Sequence, residues 1–187
     1  MNLSSSTSIL DPSVSLAKPD ALVMPRVGWQ WVAAQTMARS EKKLGQFCQA
    51  EKIPVYLPVL VRVHRYGGRL RSFDSPLFTG YVFCLEDKNY PERIKQSRHC
   101  VRVLRGIEQA VLVSQLRQVR RALETKAVGE VMPFLKKGRR VRIASGPMAG
   151  AEGIVEHIKG KTRVVLAVDF IRQGLVVEIE SRDLAPG

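Results

Sequence analysis

The stretch around which this chain is organised reads Ser75-Pro76-Leu77-Phe78-Thr79-Gly80-Tyr81-Val82-Phe83. It places three of the chain's ten Phe and Tyr residues within six positions, directly after the basic segment 62–71. Side chains of a β-strand alternate between its two faces, so Tyr81 and Phe83 are expected to share a face with Thr79. Two interpretations follow from these residues alone: an ordinary core strand with an aromatic face, or a docking surface for a large partner.

The chain carries a large positive charge. Its formal net charge is +13 over 187 residues, to which segments 1–24, 25–124 and 125–187 contribute −1, +10 and +4. Such a field favours polyanions, above all nucleic acid, and makes their binding salt-dependent. A generic basic ribosome-associated protein has a similar charge, so charge alone leaves both alternatives open. The hydrophobic fraction of 45% is typical of a globular protein.

The cysteines and the amino-terminal residues indicate a cytoplasmic protein. Cys48, Cys84 and Cys100 show neither CxxC spacing nor a histidine at ligand spacing, so we expect reduced thiols. Cys48 and Cys84 lie in a helical and a strand pattern, where they are expected to pack as small hydrophobic residues. The amino-terminal residues lack the basic start and apolar core of a signal peptide, and no run of eighteen apolar residues predicts a membrane span.

No set of residues predicts an enzyme, a metal site or a cofactor. His64, His99 and His157 are scattered, and none stands at an acid/base or metal-ligand spacing. The sequence contains neither a phosphate-binding P-loop nor a GxSxG motif. Catalysis requires several groups in complementary roles, so we expect a binding protein.

The first half of the chain predicts a tail followed by an α/β domain. Residues 1–24 are rich in Ser and Pro and are expected to form a disordered tail. A strand is predicted near Trp29, and a helix from the N-cap candidate Ser40 to about Lys52. Segment 53–61 carries two prolines, which is typical of an edge strand.

The following residues complete that domain. A turn at Tyr66-Gly67-Gly68 predicts a basic hairpin that leads into the aromatic stretch. A short helix near 89–97, a strand at 101–104 and a helix over about 113–122 then give the order β-α-β-β-β-α-β-α. We therefore predict an α+β sandwich with an antiparallel sheet over residues 25–123, followed by a linker.

The linker is predicted at 124–134, because ETKAVGEVMPF has no clear period and contains Gly129 and Pro133. Beyond it, the pattern is entirely β, and short turn signals separate four runs of β-type residues. This spacing predicts a small all-β barrel over residues 135–187. The four predicted strands are 140–143, 153–158, 162–168 and 175–179.

Segment 136–155 resembles a KOW motif, in which a basic strand and a Gly-Pro turn precede a second strand marked by glycine. The turn residues here are Gly146 and Pro147, and Gly150 and Gly153 follow. Glycine permits positive φ and close approach between strands. The resemblance implies an SH3-like KOW barrel.

The sequence upstream of the predicted linker resembles the amino-terminal domain of NusG-type transcription factors. The segments that carry the resemblance are Trp31-Val32-Ala33-Ala34-Gln35, Glu41-Lys42-Lys43, Val55-Tyr56-Leu57-Pro58 and 76–83. The Tyr-Leu-Pro and Leu-Phe-x-x-Tyr-x-Phe motifs most resemble those of the operon-specific RfaH-like and capsule-locus antiterminators. Thr79 departs from the family, which usually has proline there.

The resemblance implies an elongation factor that docks on the clamp of RNA polymerase, modulates pausing and termination, and acts as a specialised antiterminator. The positions that match the docking face are Trp31, Pro76, Leu77, Phe78, Tyr81 and Phe83. Basic residues that match or neighbour the family's contact with non-template DNA are Arg39, Lys42, Lys43 and Arg98. Arg65 of the predicted hairpin is a further candidate for contact with DNA or nascent RNA.

The resemblance also implies that the barrel recruits a small-subunit ribosomal protein or the termination factor Rho, through Phe170 and Ile171. The same two residues could instead close the open end of the barrel. The abundance of Val, Ile and Gly beyond residue 140 favours strands, so no refolding into helices is expected. We expect a monomer without a membrane partner. The alternative is a KOW-type RNA-binding protein associated with the ribosome.

Overall fold

The computed structural model describes residues 22–126, 128–133, 140–158 and 161–185. These residues form a four-stranded sheet, a two-stranded hairpin, a five-stranded sheet and two α-helices. Three short 3-10 turns complete the described secondary structure, at Ile94–Gln96, Asp169–Ile171 and Ser181–Asp183. In chain order the helices and strands are β1 Trp29–Thr36, α1 Glu41–Ala50, β2 Val55–Tyr56, β3 Val59–Tyr66, β4 Arg69–Pro76, β5 Tyr81–Asp87, β6 Cys100–Leu104, α2 Gln109–Glu124, β7 Val128–Pro133, β8 Arg140–Arg142, β9 Glu152–Ile158, β10 Lys161–Val168 and β11 Gln173–Glu178.

The first sheet lies between the two helices, as the predicted α/β sandwich requires. Its strand order is β2-β5-β1-β6, and β1 is antiparallel to both of its neighbours. Val32 and Ala34 of β1 point to the α1 side, where they join a core with Leu44. Trp31 and Ala33 point to the α2 side, where they join the larger core. Both faces of the sheet are therefore covered, and the mixed α/β prediction is confirmed.

Helix α1 begins and ends close to the predicted bounds. Ser40 occupies the N-cap position, but its hydroxyl donates to the carbonyl of Ala38 at 3.3 Å and makes no capping hydrogen bond. One side of the helix is apolar: Leu44 and Cys48 are buried and Phe47 packs against the same core. Packing of this stripe, rather than a side-chain cap, holds the helix in place.

The predicted basic hairpin is confirmed as β3 and β4. Tyr66 pairs with Arg69, which leaves Gly67 and Gly68 as a two-residue loop. Both glycines have positive φ, +53° and +80°, as a type I′ turn requires. The proline-bearing segment before the hairpin also forms the predicted edge strand, β2.

The aromatic stretch 75–83 is not the single strand that the sequence suggested. Strand β4 ends at Pro76 and β5 begins at Tyr81. Gly80 lies between them with φ +84°, a left-handed conformation that interrupts extended backbone. Tyr81 and Phe83 nevertheless share a face, because both belong to β5.

Three other boundaries differ from the predictions. The linker expected at 124–134 contains β7, which pairs with β11, so hydrogen bonding to a distant strand orders most of it. The tail expected at 1–24 ends earlier, since the carbonyl of Leu22 accepts a 2.8 Å bond from Arg117; residues 1–21 lie outside the described residues. The short helix expected near 89–97 is reduced to the 3-10 turn Ile94–Gln96.

The second sheet has the order β7-β11-β10-β9-β8 and is antiparallel throughout. A single bridge joins Ile143, just after β8, to Leu184, which follows β11. Val164 and Leu166 of β10 belong to the same buried cluster as Leu116 of α2. The second sheet therefore packs against the helix that covers the first. Within the described residues, no helix is both long and apolar enough to cross a membrane.

Candidate functional site

The loop between β4 and β5 is held by hydrogen bonds on both sides of Gly80. Its N–H donates to the Oε1 of Glu41 at 2.7 Å, and its carbonyl accepts from the N–H of Thr36 at 2.9 Å. Glu41 is buried in the first turn of α1. The loop therefore joins α1 to β1, and it places Tyr81 at the start of β5.

Most of the residues expected to form a docking face are core residues in this structure. The exposed fractions of Trp31, Leu77, Phe78 and Phe83 are 1%, 4%, 0% and 0%. Phe78 and Phe83 meet edge to face, with their ring centroids 6.2 Å apart. The physical reason is that α2 and the β4–β5 loop cover this side of the sheet. These four side chains stabilise the domain and are not available to a partner in this conformation.

The indole of Trp31 shows the same structural role. Its Nε1–H donates to the carbonyl of Val23 at 2.9 Å, and its backbone N–H donates to the Oε1 of Gln109 at 2.6 Å. Trp31 thus joins the amino-terminal segment and the start of α2 to the centre of the sheet.

Two predicted docking residues remain partly accessible, Pro76 and Tyr81. Tyr81 is paired with Gln35 of β1, and Gln35 is paired with Arg102 of β6. Directly paired residues of antiparallel strands point to the same face, so these three side chains form a row across the sheet. The Nε of Arg102 also donates to the Oε1 of Gln35 at 2.7 Å. We call Tyr81, Gln35 and Arg102 the sheet-end row.

Gln35 and Arg102 were not identified as candidates by sequence reasoning. Gln35 ends one of the segments that carry the family resemblance but was not marked as a site residue, and 67 positions separate it from Arg102. Their proximity depends on the register of β1 with β6, which no local pattern specifies. Only Tyr81, which belongs to the aromatic stretch, carried a sequence signal.

Four of the predicted nucleic-acid contacts are gathered at one edge of the first domain. Arg39 precedes α1, Lys42 and Lys43 lie in its first turn, and Arg98 precedes β6; all four are exposed. The N–H of Met37 donates to the carbonyl of His99 at 3.0 Å and joins the two loops. We call these four residues the basic cluster.

The basic cluster stands next to the amino-terminal end of α1. The partial positive charge of a helix amino terminus adds to that of the cationic side chains. Both therefore favour an anion at this edge. Arg65 is exposed but lies on the hairpin, so it belongs to a different surface.

The cysteines form no disulfide and, among the described residues, take part in no metal-binding cluster. The Sγ atoms of Cys48 and Cys84 are 3.7 Å apart in the α1-side core. Hydrogen bonding to Cys48 and burial raise the pKa of Cys84, so this thiol stays protonated at neutral pH. His99 is half-buried, and the side chains of His64 and His157 lie outside those described.

The glycines of the KOW-like segment have the conformations that their positions require. Gly146 and Gly150 have φ values of +78° and +83°. At Gly153, a Cβ atom would lie 2.5 Å from both Val164 Cγ1 and the Val165 carbonyl oxygen. β9 and β10 therefore approach each other at a distance that a side chain would prevent. Pro147 is exposed in the turn.

The two residues expected to bind a carboxy-terminal partner lie in the 3-10 turn after β10. Ile171 is 6% exposed and belongs to the core, and Phe170 is half-buried against it. The turn is also tied to α2, since the Nε2 of Gln115 donates to the Oδ2 of Asp169 at 2.7 Å. Ile171 is thus unavailable as a surface contact in this structure, because its side chain fills the interior.

A family comparison identifies the first domain. A protein-family model described as "Transcription termination factor nusG" matches residues 29–127, more than half of the 187-residue chain. The chain belongs to the NusG family. This is a family of transcription factors and not of enzymes. The match to NusG spans both helices, the first sheet and the hairpin, and it ends where β7 begins.

Solved structures give a weaker likeness over more of the chain. One, described as "Domain interaction in Thermotoga maritima NusG", is 18% identical with a TM-score of 0.46, covering 83% of this chain and 96% of that one. The Spt5 complex described as MjSpt4:Spt5, conformation B, is 17% identical with a TM-score of 0.28, covering 83% and 95%. No curated protein matches the chain.

Proposed function

We propose that this NusG-family protein is a transcription elongation factor that binds RNA polymerase and modulates pausing and termination, as a specialised RfaH-like antiterminator. The observation that carries the proposal is the family match over residues 29–127. The sheet-end row supplies a half-buried tyrosine and, two strands away, an exposed guanidinium, on the same side as the docking face that the family resemblance implied. Aromatic and arginine side chains of this kind are enriched among residues that dominate protein interfaces.

The basic cluster supports contact with nucleic acid beside the polymerase. Its four cations are exposed and share one edge with the positive end of α1. Charges in this arrangement attract a phosphate backbone without reading its sequence. We propose non-template DNA or nascent RNA as the ligand.

We further propose that the barrel predicted over residues 135–187, extended by β7, acts as a KOW barrel that recruits a ribosomal protein or Rho. The five-stranded order and the bridge between Ile143 and Leu184 support closure of the sheet. The exposed Gly146-Pro147 turn and the accessible part of Phe170 are the candidate contacts. The protein would act in the cytoplasm as a monomer.

Polymerase binding is tested by co-purification and by transcription in vitro on a template with a pause site and a terminator. We expect Tyr81→Ala to weaken polymerase binding at least tenfold, as truncation of a central interface aromatic does, by about 2 kcal/mol. Tyr90→Ala is the matched control, because Tyr90 is a 68% exposed tyrosine outside the sheet-end row. Co-purification with ribosomal particles alone would favour the ribosome-associated alternative and contradict the proposal.

A further inference from the structure

The hairpin β3–β4 is a two-stranded sheet whose strands pair only with each other among the described residues. Its register separates two faces, since directly paired residues point to the same side. Arg62 pairs with Phe73, and Arg71 and Arg69 stand two and four residues before Phe73 on β4. All four side chains therefore lie on one face, which we call the arginine face.

The opposite face of the hairpin has a different character. Val61 pairs with Asp74, and Arg65 pairs with Leu70. Asp74 is the only acidic residue between positions 59 and 76, and it lies on this second face. The arginine face thus holds three guanidinium groups with no carboxylate of the hairpin beside them.

The side chains of the arginine face are accessible to a ligand and are not buried in a core. Arg62, Arg69 and Arg71 are exposed, and Phe73 is 46% exposed. An aromatic ring flanked by guanidinium groups can bind two parts of one ligand. The cations contact phosphates, while the ring offers a surface on which a base stacks.

We propose that the arginine face binds single-stranded nucleic acid, with its backbone along Arg62, Arg69 and Arg71 and one base stacked on Phe73. A duplex offers its phosphates but keeps its bases stacked inside, and an acidic peptide offers charge without a flat base. Single strands alone present both groups to this surface. The inference deepens the proposed function by adding a nucleic-acid contact separate from the basic cluster, and it requires no polymerase.

The test uses the full chain without polymerase and labelled twelve-residue oligo-dT, oligo-U and a DNA duplex of equal length, with fluorescence anisotropy at several salt concentrations. Phe73→Leu keeps the charge and an apolar side chain but removes the ring. We expect it to weaken single-strand binding about tenfold, the scale of one lost base stack, with the salt dependence unchanged. Duplex binding should change little.

The charge requirement is tested by a matched pair of substitutions in the same hairpin. Arg71→Gln removes a cation from the arginine face, and Arg65→Gln removes one from the other face. We expect Arg71→Gln to reduce the slope of log affinity against log salt by about 0.7, the value for one phosphate contact of a single strand. Arg65→Gln should reduce it clearly less.

Two results would overturn the proposal. Equal effects of Arg65→Gln and Arg71→Gln, with no effect of Phe73→Leu, would mean diffuse attraction of a polyanion to the whole chain. If Phe73→Leu weakened duplex binding as much as single-strand binding, the conclusion would be the same.

Phe73→Trp gives an independent readout, because base stacking should quench the fluorescence of the new indole. The oligonucleotide that binds more tightly, oligo-dT or oligo-U, shows whether the preferred ligand is DNA or RNA. Polymerase binding through Tyr81 is measured separately, so that failure of one proposal is distinguished from failure of the other.

Discussion

At the scale of single residues, burial decides which aromatic side chains are available for function. Phe78 and Phe83 are fully buried, whereas Tyr81, in the same stretch, is half-buried at the sheet end. Tyr81 is the first residue of β5, whereas Phe83 lies two residues further along the strand and Phe78 packs from the loop onto the ring of Phe83. Aromatic character alone made Phe78, Tyr81 and Phe83 equally good candidates for the docking face.

Tyr56 allows a stability prediction at this scale. Its hydroxyl is buried and has no hydrogen-bond partner among the described residues. An unsatisfied buried polar group costs about 1–3 kcal/mol. We therefore expect Tyr56→Phe to raise the free energy of unfolding by about 1 kcal/mol, measured by urea denaturation at pH 7. The exposed Tyr90 provides the control Tyr90→Phe, which should change nothing.

The same residue predicts a dependence on pH. Burial raises the pKa of Tyr56 above its usual range, so the native state keeps its proton when the unfolded state loses it. Stability from this group is present below the ordinary pKa of about 10 and falls as the pH rises past it. Tyr56→Phe should lose less stability between pH 9 and pH 11 than the parent chain. A parallel loss in both proteins would contradict this account.

At the scale of secondary-structure elements, the sequence predicted what depends on local chemistry. The hairpin turn was visible in Gly67 and Gly68, and the edge strand in the prolines around Val55. The strand β7 was missed, because Gly129 and Pro133 suggest a linker and only pairing with β11 orders it. The sheet-end row was likewise out of reach, since it depends on the register of strands distant in sequence.

The β9–β10 pair provides a prediction at the element scale. A Cβ at Gly153 would meet Val164 and the Val165 carbonyl at 2.5 Å, whereas at Gly150 it would meet nothing within 4 Å. Gly153→Ala should therefore destabilise the second sheet by about 1–3 kcal/mol through overpacking. Gly150→Ala should cost about 1–2 kcal/mol, because its φ is +83° and alanine is strained there.

The two glycine variants differ in which amides they affect. Hydrogen exchange should show that Gly153→Ala loosens β9 and β10 preferentially, because the clash lies between these strands. In Gly150→Ala, the strain stays in the turn before β9. Equal protection of β9 and β10 in the Gly153→Ala variant and the parent chain would contradict the close approach.

At the scale of the whole molecule, α2 is the element that joins the two sheets. Its apolar side packs on the first sheet and on β10 through one continuous core. Its polar residues also contact the turns that flank the second sheet: Gln115 donates to Asp169 after β10, and Arg121 Nη1 donates to the carbonyl of Ala149 before β9 at 2.6 Å. Helix α2, whose sequence predicts a single amphipathic helix, therefore packs against both sheets.

These polar contacts allow a prediction of how mutation affects the attachment of the second sheet to α2. Gln115→Ala combined with Arg121→Ala removes three hydrogen bonds, two between Gln115 and Asp169 and one between Arg121 and Ala149. At about 1 kcal/mol each, their loss should favour separation of the second sheet from α2 by about a hundredfold. Amide ¹⁵N relaxation should then show faster, independent tumbling of β9–β11 with the first sheet unchanged. Arg117→Ala is the control, because the Nε of Arg117 on the same helix donates to the carbonyl of Leu22 at 2.8 Å, outside the second sheet. If tumbling stays common to both sheets in the double variant, the apolar contact of α2 with β10 and the remaining bond from the N–H of Glu152 to the Oε1 of Gln118 at 3.2 Å are sufficient to hold them together.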